Sequence, residues 1–197
     1  MEHKDIADAQ RHEAKGASTA AAGQVLVANG DGTTSFEFLE TGGYEFVISN
    51  YSTAASQNPS AVDTPLQVEF GALATSTDAS IATDGTITFN TAGKYMVTLF
   101  LRFGRTSGAG TSILLNRLLY NGVQFLRTNA IAMTDAAATH PFSATLLIEA
   151  TAADTLKVEI ARDSAGINNG GLIRTTPSTL GWHASPSASV VISKVRV

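Results

Sequence analysis

The chain has no cysteine, which excludes disulfide cross-links, thiolate metal sites and thiol nucleophiles. Charge is scarce as well. Asp, Glu, Lys and Arg together make up 15% of the residues, against about a quarter in an average soluble domain. Polar surface must therefore come from Ser, Thr, Asn and Gly, the composition of a β-rich chain with many turns. Long apolar runs are missing. The greasiest segment, Tyr95 to Phe103, falls far short of the roughly 20 residues that span a bilayer and contains Arg102, so no membrane insertion is expected. Met1-Glu2-His3-Lys4-Asp5 lacks the apolar centre of a secretory signal, so assembly in a cytoplasm is expected. After residue 23 no segment of useful length has helical periodicity.

What is present is enough apolar material for a core: 44% hydrophobic residues in a chain of 197, room for one sandwich-sized domain with a small appendage. The net charge of −4 is unevenly spread. Residues 16–93 hold eight acids (Asp31, Glu37, Glu40, Glu45, Asp63, Glu69, Asp78 and Asp84) and no Lys or Arg. Residues 94–133 hold five bases (Lys94, Arg102, Arg105, Arg117 and Arg127) and no acid. This is either drift in composition or the mark of acidic and basic faces that meet, within a protomer or between protomers. No nucleic-acid partner is expected, because the bases are sparse and no stacking aromatics alternate with them.

Residues 1–23 mix charge with Ala, Ser and Gly and read as an extended arm, ordered by a partner. Residues 24–43 read as a small β-hairpin and linker. Val25 and Val27 alternate on one arm, Phe36 and Phe38 on the other, and Asn29-Gly30-Asp31-Gly32 between them tolerates positive φ. From Tyr44 to the end, strand follows strand. Leu66, Val68 and Phe70 alternate, then Ile87 and Phe89 follow the Asp84-Gly85 turn. Tyr95, Val97, Leu99, Leu101 and Phe103 share one face of a long strand whose other face carries Met96 and Phe100. Such a strand suits the middle of a sheet, between the core and a subunit interface. Asn121-Gly122 marks a hairpin between Ile113–Tyr120 and Val123–Arg127. Phe142–Ala150 pairs with Leu156–Ile160, and Ala188–Val197 closes the chain. About nine or ten strands are expected, and the fold class is all-β: a jelly-roll β-sandwich over residues 44–197, carrying the arm and hairpin.

The stretch Thr86-Ile87-Thr88-Phe89-Asn90-Thr91-Ala92-Gly93-Lys94-Tyr95, continuing through alternating apolar residues to Phe103, resembles the turn and long strand of C1q/TNF-like jelly rolls. Leu119-Tyr120-Asn121-Gly122-Val123, the Thr155–Ile160 strand and the Ser189–Val197 strand agree with it. The resemblance covers about residues 44–197 and implies a homotrimer with apolar and aromatic residues at its interface. Tyr95, Met96, Phe100 and Phe103 are the candidates. The leader Gln10-Arg11-His12-Glu13-Ala14-Lys15-Gly16, followed by Gly23-Gln24-Val25-Leu26-Val27-Ala28-Asn29-Gly30-Asp31-Gly32, resembles the N-terminal segment of tailed-bacteriophage virion proteins, including head-decoration and fibre proteins. In that pattern a proline often stands where this chain has Ala14. The resemblance implies that residues 1–40 attach the protein to the phage major capsid protein or another virion protein, on capsid or tail, with the jelly roll projecting at the virion surface; Asp8, Gln10, Arg11, His12, Glu13 and Lys15 are the anchoring candidates.

No motif for chemistry stands out. His140, Asp163 and nearby serines lack a Gly-x-Ser-x-Gly elbow. Asn29-Gly30-Asp31-Gly32 lacks the downstream Glu of a calcium loop, so a turn is expected there. Asp163 with Asn168 and Asn169 is a sparse oxygen cluster. Asp154 with Glu159, and Asp135 with Glu149, are the nearest acid pairs for glycoside hydrolysis, without a supporting pattern. No catalytic residue, metal or cofactor is assigned. The single Trp182 has packing over the end of the sandwich as its default and an exposed anchor as its functional alternative. Arg105, Asn168, Asn169 and Trp182 are candidates for distal binding. The expected function is that of a non-enzymatic, homotrimeric capsid decoration (cement or head-fibre) protein. The alternative is a receptor-binding tail or head-fibre adhesin that recognises a host surface glycan.

Overall fold

The structure is a computed structural model that describes residues 20–22, 24–38, 43–52, 56–105, 108–135, 137–166 and 169–196. Two compact units are present, one within residues 1–42 and one spanning Gly43–Arg196. The first contains a hairpin of β1 (Gln24–Ala28) and β2 (Thr34–Phe38), paired antiparallel from Gln24↔Phe38 to Ala28↔Thr34. Its turn is the one read from the sequence. Gly30 and Gly32 have φ of 78° and 87°, and the Asp31 carboxylate accepts the Thr33 amide at 2.9 Å and hydroxyl at 2.5 Å. These bonds hold the Asp31 carboxyl below the usual carboxylate value.

The second unit is built from β3 (Gly43–Ser52), β4 (Ser56–Gln57), β5 (Leu66–Gln67), β6 (Ala74–Thr75), β7 (Ala79–Ile81), β8 (Ile87–Phe89), β9 (Gly93–Gly104), β10 (Ser112–Tyr120), β11 (Val123–Met133), β12 (Thr139–Ala150), β13 (Thr155–Arg162), β14 (Gly171–Ile173) and β15 (Ala188–Arg196). The sequence expectation of nine or ten strands covered the long ones. The two- and three-residue strands are too short to leave an alternation pattern.

Strands β3-β15-β9-β12 form one sheet, with β14 and β4 continuing beyond β15 along the same edge of β9. Strands β11-β10-β13-β8-β7-β6 form the other, with β5 also on β13. Taken as β3, β8, β9, β10, β11, β12, β13 and β15, the principal strands lie in the order first, eighth, third, sixth in one sheet and second, seventh, fourth, fifth in the other. That is the order of a jelly roll. The all-β sandwich expected from the sequence is what the chain forms.

The core lies between the sheets. Tyr95, Val97, Leu99, Leu101 and Phe103 of β9 are all fully buried, facing Leu156, Val158 and Ile160 of β13 and Ile87 and Phe89 of β8. Lys157 and Glu159, the alternate residues of β13, stay on the wet face. Pro141 lies inside β12, opposite Arg102. A proline cannot donate to the ladder, and it is tolerated because β12 pairs only with β9 and forms the sheet edge.

The turn between β7 and β8 depends on Gly85. Its φ is 84°, and a Cβ there would lie 1.8 Å from the carbonyl oxygen of Val68. Gly122, with φ of 78°, has nothing within 4 Å of such a Cβ. Gly122→Ala therefore meets backbone strain alone and is expected to cost about 1 kcal/mol. Gly85→Ala also forces two backbone segments apart and is expected to cost about 3 kcal/mol or more. Urea denaturation of the two variants side by side checks the difference; equal losses would contradict it.

Candidate functional site

The outer face of the β3-β15-β9-β12 sheet has no covering layer among the described residues. The strand registers place three rows across it: Tyr51-Ser189-Phe100-Ser143, Ser49-Val191-Thr98-Thr145 and Phe46-Ser193-Met96-Leu147. The Thr98 and Thr145 hydroxyls meet at 3.1 Å, which confirms that they share a face. None of these residues is charged. Phe46, Tyr51 and Leu147 are about two-thirds exposed (64%, 60% and 65%), and Phe100 and Val191 are 38% and 40% exposed. Tyr44 extends the patch beside Val195. Charges appear only past the rows, at Lys94, Arg102 and Glu149.

A second apolar feature opens between the sheets, where edge strands β11 and β12 diverge. Leu99, Leu118, Leu126, Phe142, Ala144 and Leu146 line a gap of about 560 Å³, rimmed by Arg117, Arg127, Asn116 and Asn129. The register of β10 against β11 shifts between Asn116 and Leu118. The resulting bulge puts Leu126 at φ of 65° and leaves it exposed at the gap. Nothing in the sequence marks Leu126 as left-handed.

The ends of the sandwich are tied down by polar clusters. At the Gly93 end of β9, the Lys194 ammonium contacts Asp78 Oδ1 at 2.6 Å and Thr91 Oγ1 at 2.8 Å. It also lies 5.6 Å from the centre of the Tyr95 ring. The hydrogen bond from Lys194, followed by that from Thr91, holds the Asp78 carboxyl below its ordinary value, and the same carboxylate raises Lys194. Asp78 precedes β7 and Lys194 lies in β15, so this cluster fastens one sheet to the other. Nearby, Asp154 accepts hydrogen bonds from Tyr120 Oη at 2.6 Å, the Thr151 amide at 2.7 Å and Asn121 Nδ2 at 2.8 Å. These bonds, Tyr120's foremost, hold Asp154 far below the usual carboxylate range. Burial and that bond push Tyr120 up to about 12.

Among the described residues, no ion pair joins the acidic block of the sequence to the basic block. Asp78 and Glu45 are met by Lys194 and Arg196, and Arg117 by Glu159.

The sequence candidates distribute as follows. Met96 and Phe100 lie on the uncovered face. Tyr95 and Phe103 do not: both are fully buried in the protomer core, with Tyr95 stacked at a tilt on Phe89 at 4.7 Å and Phe103 edge-on to Phe142 at 6.3 Å. Their side chains are unavailable to a neighbour. Arg105 is not an exposed distal residue but 1% exposed. Its guanidinium donates to the carbonyls of Gly110 at 2.6 Å, Met133 at 3.0 Å and Gly108. Asn169 is partly buried, and its carbonyl accepts the Ser112 hydroxyl at 2.5 Å. Trp182, for which packing over the sandwich end was the default, is 74% exposed, and Leu180 beside it is fully exposed. Asp8, Gln10, Arg11, His12, Glu13 and Lys15 lie outside the described residues, as does Asn168. The aromatic residues of β3, Phe46 and Tyr51, went unassigned in the sequence although their strand was read. Among the described residues, no three His, Asp or Glu side chains gather as metal ligands do.

No protein-family model and no curated protein matches the chain. Among solved structures, Eiger TNF from S. frugiperda is similar at 10% identity and a TM-score of 0.49, over 77% of this chain and 92% of that one. The globular domain of the zebrafish complement 1qA protein is similar at 12% identity and a TM-score of 0.40, over 78% and 97%. The jelly-roll assignment rests on the strand order itself.

The Lys194–Asp78 contact carries a pH signature. Asp78 is lowered, so its contribution is complete above the ordinary value of 3.8 and is lost as pH falls through its native value. Lys194 is raised, so its contribution is complete below 10.5 and is lost as pH rises through its own native value. Lys194→Met is expected to cost about 1 kcal/mol at neutral pH. It is also expected to flatten the acid limb of the stability profile below pH 4. Chemical denaturation across pH 2–8 measures both; an unchanged acid limb would contradict the assignment.

Proposed function

We propose that this chain is a non-enzymatic structural protein that assembles as a homotrimer through the uncovered face of the β3-β15-β9-β12 sheet. The observation that carries the proposal is the composition of that face: aromatic and aliphatic side chains set among Ser and Thr, with no charge across three rows. Permanent interfaces are depleted of charge and rich in aromatics at their centre, and an exposed patch of this kind marks an interaction surface. The gap between β11 and β12 supplies a second and different apolar surface. Pairing one surface with the other is a heterologous contact, which makes a ring where its rotation closes, here after three copies in this reading. A two-fold dimer would leave one of them uncovered.

Within this reading, residues 1–23 anchor the trimer to a phage capsid, and the jelly roll decorates the virion surface. Support for the anchor is the resemblance of the leader to virion proteins. Three arms on one trimer multiply a weak single-arm affinity through effective concentration. Binding the assembled shell, and not its separated subunits, stabilises the shell by mass action. A second reading, a receptor-binding adhesin for a host surface glycan, is favoured by the exposure of Trp182 and Leu180. Tyr120 does not add to it, being half-buried and bonded to Asp154.

Sedimentation equilibrium tests the assembly. The intact protein is expected at three times the chain mass, and Phe46→Glu with Leu147→Glu at the chain mass with its circular dichroism unchanged. A monomeric or dimeric parent overturns the trimer. Co-sedimentation tests the attachment. The intact protein is expected to pellet saturably with capsids lacking it, and a form without residues 1–23 is expected to stay trimeric but remain in solution. Pelleting with host cells and not with capsids would replace the decoration reading with the adhesin.

A further inference from the structure

The gap between β11 and β12 holds a polar group that the fold leaves unused. Strand β10 turns Leu114, Asn116 and Leu118 inward, and all three are buried. Asn116 is 5% exposed, and among the described residues its Oδ1 has no hydrogen-bond partner. It lines the gap together with Leu99, Leu118, Leu126, Phe142, Ala144 and Leu146. Burying an amide oxygen without a partner is costly, and an aliphatic side chain in its place carries no such penalty. Directly across from Asn116 on β11 stands Asn129, on the same face of the sheet and also at the gap. Two amides therefore stand side by side in an otherwise apolar wall. On β12 the inward row reads Phe142, Ala144, Leu146 and Ile148, and the small Ala144 between larger neighbours keeps the space open.

The walls restrict what can fill it. Ordered water needs several polar partners, which leucine and phenylalanine do not supply. Arg117, between two inward residues of β10, is spent on the outer face, where its guanidinium pairs with Glu159 at 2.6 Å. Arg127 is exposed, at the rim. A carboxylate drawn in to Asn116 leaves its water for neutral amides alone. A hydroxyl carries no charge to desolvate, and it can both donate to Oδ1 and accept from an amide N–H. The χ2 torsion of Asn is broad, so the amide can turn its oxygen to the gap. An aliphatic body attached to that hydroxyl gains by leaving water for the apolar wall. At about 560 Å³ the gap falls within the roughly 300–1,000 Å³ of small-molecule sites.

We propose that the gap binds a neutral amphiphile, an aliphatic molecule with one hydroxyl. The hydroxyl bonds to Asn116, with Asn129 beside it, and the chain lies against the leucines and Phe142. Every lining residue comes from one protomer, so the site does not rest on the trimer or on the capsid. In the trimer proposed above, the neighbour's sheet face lies over the mouth of the gap and encloses the ligand beneath it. The permanent contact and the ligand then use different depths of the same opening.

Isothermal titration calorimetry on the intact protein tests the site, with 1-octanol and sodium octanoate as probes. Saturable uptake of one octanol per protomer is expected, with octanoate about tenfold weaker. Asn116→Leu removes the amide at similar volume and is expected to lower the octanol affinity about tenfold. Ala144→Phe fills the space and is expected to abolish uptake with its circular dichroism unchanged. The same titration of the Phe46→Glu, Leu147→Glu form separates the two occupants. Uptake by that form and none by the parent assigns the gap to the neighbouring protomer's side chains and overturns the proposal. Absence of saturable uptake by both forms, octanoate bound as tightly as octanol, or full affinity retained in either gap variant also overturns it. Uptake by a parent that sediments as a monomer supports the site while overturning the trimer.

Discussion

Everything in the main unit depends on the two-edged pairing of β9. This strand runs the length of the sandwich, matched along one edge by β12 from Gly93↔Ala150 to Gly104↔Thr139. Along the other edge it is matched by β15 and then β14. Its inward residues are the spine of the core, and its outward residues lie in the middle of the uncovered face. One alternating sequence thus specifies the interior and the exterior surface together. A shift of one residue would exchange them, placing Met96 and Phe100 in the core and exposing Tyr95 and Phe103. The Lys194–Asp78–Thr91 cluster opposes that shift, because it forms only when Tyr95 faces inward beside Lys194.

Much of this was legible in the sequence, because the long strands alternate cleanly and their turns carry Asn-Gly, Asp-Gly or Ala-Gly. Hairpin β1–β2, the Asn121-Gly122 turn and both faces of β9 could be read directly. What alternation does not reveal is which of two apolar faces receives the partner sheet, so from sequence alone Tyr95 and Phe103 are as eligible for the interface as Met96 and Phe100. Arg105 did carry a usable signal. It continues the inward series two residues after Phe103, and that parity points it into the protein. Leu126 carried none, since its left-handed backbone comes from a bulge that depends on the β10 register. Trp182 lies in a loop closed by a single bridge, where no periodicity constrains exposure.

The surfaces divide by position and by kind. The broad side of one sheet is apolar, uncharged and flat, suited to a large permanent contact. The end beyond Gly104 is concave and made of loop and strand-end residues, Ser56, Asn58 and Ile173 among them. The opposite end, at Gly43, receives the chain.

The antiparallel match of Gly43 with Arg196 also sets how the protein bears load. If residues ahead of Gly43 are held fast and something pulls on the far end, tension enters along the axis of β3. There the ladder from Gly43↔Arg196 to Ser52↔Ala188 is loaded in shear, so its hydrogen bonds share the force at the same moment. A tether attached at the other end of β3 would peel those bonds apart one after another. The point of entry therefore makes the unit resistant to drag, whichever surface it is fixed to.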